Sequence, residues 1–186
     1  MRLNALAYYA DFFVSFALIL MLAGMSLWDA TLSTAAQWVA CALAGFTLWT
    51  LLEYFVHRVL YHNVPYFVEM HDAHHAEPNA FIGAPPIIGV VLILVLFYAP
   101  IAPFHELSAS GLTGGIFAGY MAYMLLHHAA HYWNVRPGTW LYMARRHHAL
   151  HHYHHEEGNY GIVTSLWDHV FGTNLVRRRR GTRDAT

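Results

Sequence analysis

The sequence predicts an all-α integral membrane protein with four transmembrane helices, and three observations lead to that fold class. The chain is 57% hydrophobic and only 11% charged, which is too apolar for an ordinary soluble domain. Four apolar stretches of about 16 to 21 residues approach the length that spans a bilayer. Basic residues are the third observation: all ten are arginines, and four spans place every one of them on the same side of the membrane. The stretches cover residues 12–28, 36–56, 86–102 and 111–126.

The first two stretches are predicted to be membrane-spanning helices joined by a short outer loop. Residues 12–28 carry no charge, and no small-residue cleavage site follows Trp28, so we expect a retained span rather than a signal peptide. Residues 36–56 contain a single charge, Glu53. Because a carboxylate inside a span is costly and usually functional, Glu53 is expected either to orient a histidine or to hydrogen-bond Arg58 or a tyrosine.

The last two stretches, residues 86–102 and 111–126, contain no charged side chain. The short loops at 29–35 and 103–110 contain no arginine, which places them on the outer side by the positive-inside rule. We therefore expect both termini and the long loops in the cytoplasm. A chain with arginine but no lysine favours a bacterial inner membrane, with the endoplasmic reticulum as the alternative.

Composition also excludes several classes of protein. The chain is expected to be one domain over residues 1–186, and its net charge of −1 argues against nucleic-acid binding. The basic run Arg177–Arg180 is expected to contact anionic lipid. A single cysteine, Cys41, excludes a disulfide framework and a cysteine-ligated zinc or iron–sulfur site.

Sixteen histidines, most of them in short clusters, carry the chemistry. Neutral imidazole is the commonest metal ligand in proteins. Two clusters share the spacing i, i+3, i+4, which puts three imidazoles on one helical face. A third cluster is an i, i+4 pair, and a fourth is spaced i, i+5, which an ideal α-helix does not place on one face. These clusters are, in the same order, His71, His74 and His75; His148, His151 and His152; His127 and His131; His57 and His62.

The number of clustered histidines indicates a polynuclear metal site, because one ion cannot use them all. The i, i+5 spacing predicts that His62 lies where its helix frays, just before Asn63. A metal transporter would need ligands near the middle of the spans, where these spans have almost none. A haem b cytochrome is another alternative, but it needs only paired histidines on facing spans and would leave most of these clusters without a role. A metal-stabilised scaffold without activity is a further alternative.

The clusters and their flanking residues resemble the fatty acid hydroxylase/sterol desaturase superfamily of histidine-box di-iron membrane enzymes, and most closely the fatty acid (sphingolipid) 2-hydroxylases. The resemblance runs from about residue 50 to 173. The segments that carry it are Glu53-Tyr-Phe-Val-His-Arg-Val-Leu-Tyr-His62, His71-Asp-Ala-His-His75, Gly114 through His131, His147-His-Ala-Leu-His-His152, Asn159-Tyr-Gly161, Trp167-Asp168 and Phe171-Gly-Thr173.

This resemblance implies a cytosolic helical cap, built from residues 57–85 and 127–173, that holds a dinuclear metal site over the four spans. Two iron ions are implied, with zinc as an alternative occupant in purified protein. The hydrogen-bond partners of the ligand imidazoles are expected among Glu53, His155, Asn159 and Asp168. The implied metal ligands are His57, His62, His71, His74, His75, His127, His131, His148, His151 and His152.

The implied activity is O₂-dependent hydroxylation of a membrane lipid, with a fatty acyl or sphingolipid chain as substrate. Carotenoid ring hydroxylation and sterol-type oxidation or desaturation are the alternatives within the same chemistry. The sequence contains no flavin, haem or iron–sulfur motif of its own. We therefore expect a separate electron donor, a reductase acting through a cytochrome b5-like or ferredoxin carrier.

Overall fold

Long apolar helices dominate the computed structural model, which describes residues 2–154 and 157–175. Three of the described helices are long and apolar enough to cross a membrane. They are α1 (Ala5–Leu27), α2 (Leu32–Phe55, continued by a π-helical segment, Val56–Tyr61) and α5 (Glu106–Tyr132). The predictions for His155 and for the run Arg177–Arg180 concern residues outside the described ranges.

The third predicted span is shorter than the sequence suggested. Helix α4 (Pro86–Ile93) continues as a second π-helical segment, Leu94–Tyr98, and turns follow it. Proline lacks a backbone N–H and cannot donate the next helical hydrogen bond, so Pro100 and Pro103 explain the early end. At 1.5 Å per residue, this apolar helix is about 20 Å long, against about 30 Å for the hydrocarbon layer.

Three short helices complete the described fold: α3 (Pro65–Ala76), α6 (Trp140–Tyr153) and α7 (Leu166–Val170). Helix α3 begins with a proline in its first turn, where the missing N–H costs nothing. Helix α6 begins after Thr139, whose hydroxyl accepts a hydrogen bond from the Tyr142 N–H.

Glycines bring α2 and α5 into close contact. A Cβ on Gly115 would overlap the carbonyl oxygen of Ala42, and one on Gly45 would overlap the carbonyl oxygen of Leu112. Small residues allow helices in a membrane to pack backbone to backbone. The close packing holds the C-terminal ends of α2 and α5 side by side, and both ends carry clustered histidines.

Candidate metal centre

A π-helical turn brings His57 and His62 to the same side of their helix. The backbone of Val56–Tyr61 is wound more widely than an α-helix, with hydrogen bonds from i to i+5, so residues five apart lie one above the other. The two imidazole centroids are 5.7 Å apart. An ideal α-helix would not place this pair on one face, whereas the π-helical winding does, and His62 is the residue at which the segment ends.

The histidine clusters of four separate segments meet in two adjacent groups. Within each group, one ring nitrogen of every member lies within 4.8 Å of the others. Helices α3, α5 and α6 supply the first group, and the π-helical segment, α3 and α6 supply the second. The first group contains His74, His127, His131, His148 and His152, and the second contains His57, His62, His71 and His151.

His75 lies at the boundary of the two groups. Its Nε2 is 3.1 Å from Nε2 of His151 in the second group. Its ring also stacks on His152 of the first group, with centroids 4.0 Å apart. The structure thus brings all ten of the predicted ligands into one continuous cluster.

Backbone carbonyls fix which nitrogen of two imidazoles carries the proton. Nδ1 of His57 is 2.7 Å from the carbonyl oxygen of Tyr160, and Nδ1 of His151 is 2.9 Å from that of Gly158. A carbonyl only accepts, so each Nδ1 must donate, and each neutral ring then keeps an unprotonated Nε2. Ligand histidines are typically oriented by an acceptor on their far nitrogen.

The two unprotonated nitrogens face one another, with Nε2 of His57 3.0 Å from Nε2 of His151. Two lone pairs at this distance repel unless a cation lies between them. In the first group, Nε2 of His127 lies 3.0 Å from Nε2 of His74. Both ring nitrogens of His152 are also buried and have no hydrogen-bond partner among the described residues. The residues present therefore fit metal ions, with one ion for each group.

Protonation does not relieve this repulsion. Burial, reinforced by neighbouring imidazoles, lowers the pKa of His71 to about 2 and that of His74 to about 3. Burial also lowers the pKa of His151 to about 3, against a smaller upward effect of the Gly158 carbonyl. These rings are neutral near pH 7, and the neutral ring is the form that binds metal.

Asp168 organises the loop that supplies both carbonyls. Its fully buried carboxylate accepts hydrogen bonds from the backbone N–H groups of Tyr160 and Gly161 at 2.8 and 2.9 Å. It also accepts one from the Thr173 hydroxyl at 2.8 Å and one from Nε2 of His147 at 3.1 Å. Asp168 thus acts on the candidate ligands through the loop and does not touch them.

Asn159 stabilises the same loop from within. It is fully buried and has a left-handed backbone, with φ at 57°. Its side-chain amide donates to the carbonyl of His147 at 3.0 Å and accepts from the N–H of Leu175 at 2.7 Å. Asparagine tolerates positive φ better than most residues, which suits it to this position.

Glu53 has a different role from either that the sequence suggested. Its carboxylate is buried and accepts hydrogen bonds from the backbone N–H groups of Ile162 and Val163. Arg58 instead donates to the Tyr54 hydroxyl. Glu53 therefore ties the end of α2 to the loop whose carbonyls hold His57 and His151.

The remaining histidines of the described ranges lie outside the two groups. His128 is hydrogen-bonded to the Tyr8 hydroxyl at 3.0 Å, and His147 contacts Asp168. His105 and His169 are exposed. No side chain could have indicated the role of the carbonyls of Gly158 and Tyr160, since every residue has a carbonyl. Only the glycines and the asparagine of that segment indicated an unusual turn.

The chain is similar to known lipid hydroxylases. The sequence model of the fatty acid hydroxylase family matches residues 42–173. Fatty acid 2-hydroxylase of Rattus norvegicus is 34% identical over 143 residues, which are 69% of this chain and 38% of that protein. Dihydroceramide fatty acyl 2-hydroxylase FAH2 of Arabidopsis thaliana is 32% identical over 139 residues, covering 69% of this chain and 58% of that protein.

A yeast relative and a solved structure agree with these matches. Ceramide very long chain fatty acid hydroxylase SCS7 of Saccharomyces cerevisiae is 30% identical over 162 residues, or 75% of this chain and 39% of that protein. The chain thus spans less than two thirds of the length of these relatives. A structure of full-length scs7p, in which only the hydroxylase domain is visible, superposes with a TM-score of 0.75 at 24% identity and covers 93% of this chain and 70% of that one. This superposition establishes a shared fold.

Proposed function

The chain belongs to the fatty acid hydroxylase family, and from this relationship we propose that it is an O₂-dependent di-iron monooxygenase that hydroxylates a membrane lipid. The observation that carries the proposal is the pair of adjacent imidazole groups in which ring nitrogens converge, with the unprotonated Nε2 atoms of His57 and His151 facing one another. Two bound iron ions would activate O₂, so that one oxygen atom enters a C–H bond and the other leaves as water, with two electrons and two protons supplied from outside. Imidazole also suits zinc, which remains an alternative occupant after purification.

The residues of the chain hold and orient these ions. His74, with its group, would bind one ion, and His57, with its group, would bind the other, while His75 lies between them. The carbonyls of Gly158 and Tyr160 fix two ligand rings in the binding tautomer. Glu53 and Asp168 hold the loop in place, and no side chain is needed as a nucleophile because the cofactor carries the difficult chemistry.

We assign the substrate class as a fatty acyl or sphingolipid chain. The relatives are named for fatty acyl and ceramide hydroxylation, and none of the matches described above is named for a sterol or a carotenoid. The candidate centre lies where α2 and α5 end, so an apolar chain can reach it from the bilayer. Tyr123, which stacks on His127 with centroids 5.7 Å apart, contributes an aromatic wall on the membrane side.

We also propose that the chain crosses the membrane four times, with the centre on the cytoplasmic face of a bacterial inner membrane. Helices α2 and α5 both end at the histidine groups, so both run in the same direction. The hydroxyl of Ser26, near the end of α1, donates to that of Ser110, near the start of α5. Residues 86–105 must therefore return the chain to the outer side. A short span is accommodated by local thinning of the bilayer.

Lipid analysis of an expression host tests the proposed function. We expect cells with the intact chain to accumulate lipids heavier by one oxygen atom, located on an acyl chain, and cells with His74→Ala to lack them. His105→Ala is the matched control, because this exposed histidine lies outside both groups, and its lipids should match those of the intact chain. Oxygenated lipids that persist in His74→Ala cells would refute the assignment.

A further inference from the structure

Helix α7 packs against α2 inside the apolar stretch that is predicted to span the membrane. The indole Nε1 of Trp167 donates to the hydroxyl of Thr50 at 3.0 Å. Just after α7, the ring of Phe171 stacks on that of Tyr54, with centroids 5.2 Å apart. Both partners belong to α2 (Leu32–Phe55), so α7 lies beside the last turns of this helix and not beyond its end.

The contact at Thr50 is nearer to the centre of the proposed span than the end of α2 is. Five residues separate Thr50 from Phe55, which is about 7.5 Å along an α-helix. Phe55 is 40% exposed, and Val59, one turn further on, is exposed too, so the apolar surface continues past the contact toward the cytoplasmic side. The outer side of α7 therefore faces acyl chains if α2 crosses the membrane.

This short helix separates its apolar side chains from its polar ones. At about 100° per residue, the four apolar residues within 166–171 share one side, and Asp168 and His169 occupy the other. The two aromatic residues of the apolar side are those that contact α2. The other two, Leu166 and Val170, are 52% and 59% exposed. The apolar side of α7 is thus only half covered by α2.

The polar side of α7 supports the candidate metal centre. The carboxylate of Asp168 accepts from the Tyr160 N–H, and the Tyr160 carbonyl accepts from Nδ1 of His57. Asp168 is fully buried, whereas Leu166 and Val170, two residues to either side, are exposed. Helix α7 therefore lies between the loop that orients a candidate ligand and the medium outside the protein.

The backbone around α7 limits how deep the helix can lie. The helix has five residues, and Gly172 follows it with φ at 71° and an exposed surface. Irregular backbone exposed to hydrocarbon would leave N–H and C=O groups without partners. The boundary between headgroups and acyl chains meets both requirements, since apolar side chains of interfacial helices reach about 5–10 Å into it.

We propose that α7 is a membrane-inserted anchor, with Leu166 and Val170 among the acyl chains of the cytoplasmic leaflet. The inference rests on the proposed crossing of the membrane by α2. The anchor is continuous with the outer surface of α2, because the rings of Phe171 and the exposed Phe55 have centroids 5.4 Å apart. Lipid on one side of α7 and the loop on the other then fix the position of Asp168.

Fluorescence quenching tests the position of α7. An NBD fluorophore is attached to Val170→Cys in a Cys41→Ala background, and the full chain is placed in nanodiscs of phosphatidylcholine and phosphatidylglycerol. We expect a doxyl group on the acyl chains to quench it within about twofold of a label on Leu43→Cys, an exposed position in the middle of α2. Iodide in the water should quench it about fivefold less than a label on Asn134→Cys, an exposed position just after α5.

The label at residue 43 separates failure of the anchor from failure of the proposed crossing. If acyl-chain doxyl does not quench that label, α2 does not cross the membrane and the inference falls with it. If doxyl quenches it while iodide quenches the labels at 170 and 134 equally, α7 lies in water and the inference alone is wrong. If neither quencher reaches the label at 170, a protein surface such as a second copy of the chain covers α7, which also overturns the inference.

Discussion

His57 and His151 show how single hydrogen bonds prepare a metal site. Each ring donates from Nδ1 to a backbone carbonyl, so its Nε2 is left unprotonated and 3.0 Å from that of the other. In the metal-free fold the two Nε2 lone pairs are held close together, and their repulsion costs free energy. A bound metal ion removes this repulsion. The free energy of metal binding is thus partly free energy of folding.

Removing one ligand from each group should remove one ion at a time. His74 belongs to the first group and His151 to the second, so we expect His74→Ala and His151→Ala each to lower the metal content from about two ions per chain to about one, and to lower Tm. Inductively coupled plasma mass spectrometry of the purified variants measures this. His169→Ala, an exposed histidine outside both groups, should keep two ions. Two ions retained in both ligand variants would contradict the assignment.

Asp168 affects the candidate metal ligands indirectly, through the loop that it holds in place. Replacing it by asparagine leaves an amide where a carboxylate accepts four hydrogen bonds, so at least one buried N–H loses its acceptor. We expect Asp168→Asn to destabilise the fold by about 2–3 kcal/mol and to weaken metal binding in the second group through the displaced loop. Thermal unfolding and metal analysis check both effects. Asp29→Asn, an exposed change, should match the unaltered chain, and equal Tm values for the two variants would count against this role.

At the scale of helices, the sequence predicted local patterns well and departures from ideal winding poorly. The spacing of His71, His74 and His75 needs only α-helical geometry, and the structure places these rings together. The π-helical turn between His57 and His62 lies against the loop at 157–163, which is far away in sequence and whose Tyr160 carbonyl accepts a hydrogen bond from Nδ1 of His57. No local pattern in Val56–Tyr61 indicates it.

The end of the apolar helix at Tyr98 could have been anticipated. Pro100 and Pro103 lie inside the apolar stretch 86–102 and just after it, and proline ends helices for local reasons. Hydrophobicity alone extended the predicted span through Pro100. The loop carbonyls that hold His57 and His151 could not have been anticipated, since side-chain identity does not show where a backbone oxygen points.

The packing of α2 on α5 sets the separation of the histidine groups, and Gly115 tests it. A Cβ there would overlap the carbonyl oxygen of Ala42, which is backbone and cannot move aside alone. We therefore expect Gly115→Ala to push the helices apart, lowering both Tm and metal content. Gly24→Ala is the matched control: no atom lies within 4 Å of its Cβ, and alanine in a helix should stabilise by about 0.5–1 kcal/mol. A Gly115→Ala protein with normal Tm and metal content would show that this contact is not required.

At the scale of the whole molecule, the parallel orientation of α2 and α5 supports the proposed path of the chain across the membrane. Both helices end at the histidine groups, so the chain has to return to the opposite side between α3 and α5. Residues 86–105 alone are available for that return, although their helix is shorter than the hydrocarbon layer is thick. Under the proposed four-span topology, we expect this short span to lie in a locally thinned bilayer.

Single-cysteine labelling tests this path. In a Cys41→Ala background, which has no cysteine, His105→Cys should react with a membrane-impermeant maleimide in intact spheroplasts, because residue 105 is expected on the outer side. Asn134→Cys, an exposed position just after α5, should react only when the membrane is opened. The parent protein controls for background labelling. If both cysteines reacted on the same side, residues 86–105 would not cross the membrane. The parallel orientation of α2 and α5 would then require a different arrangement of the chain.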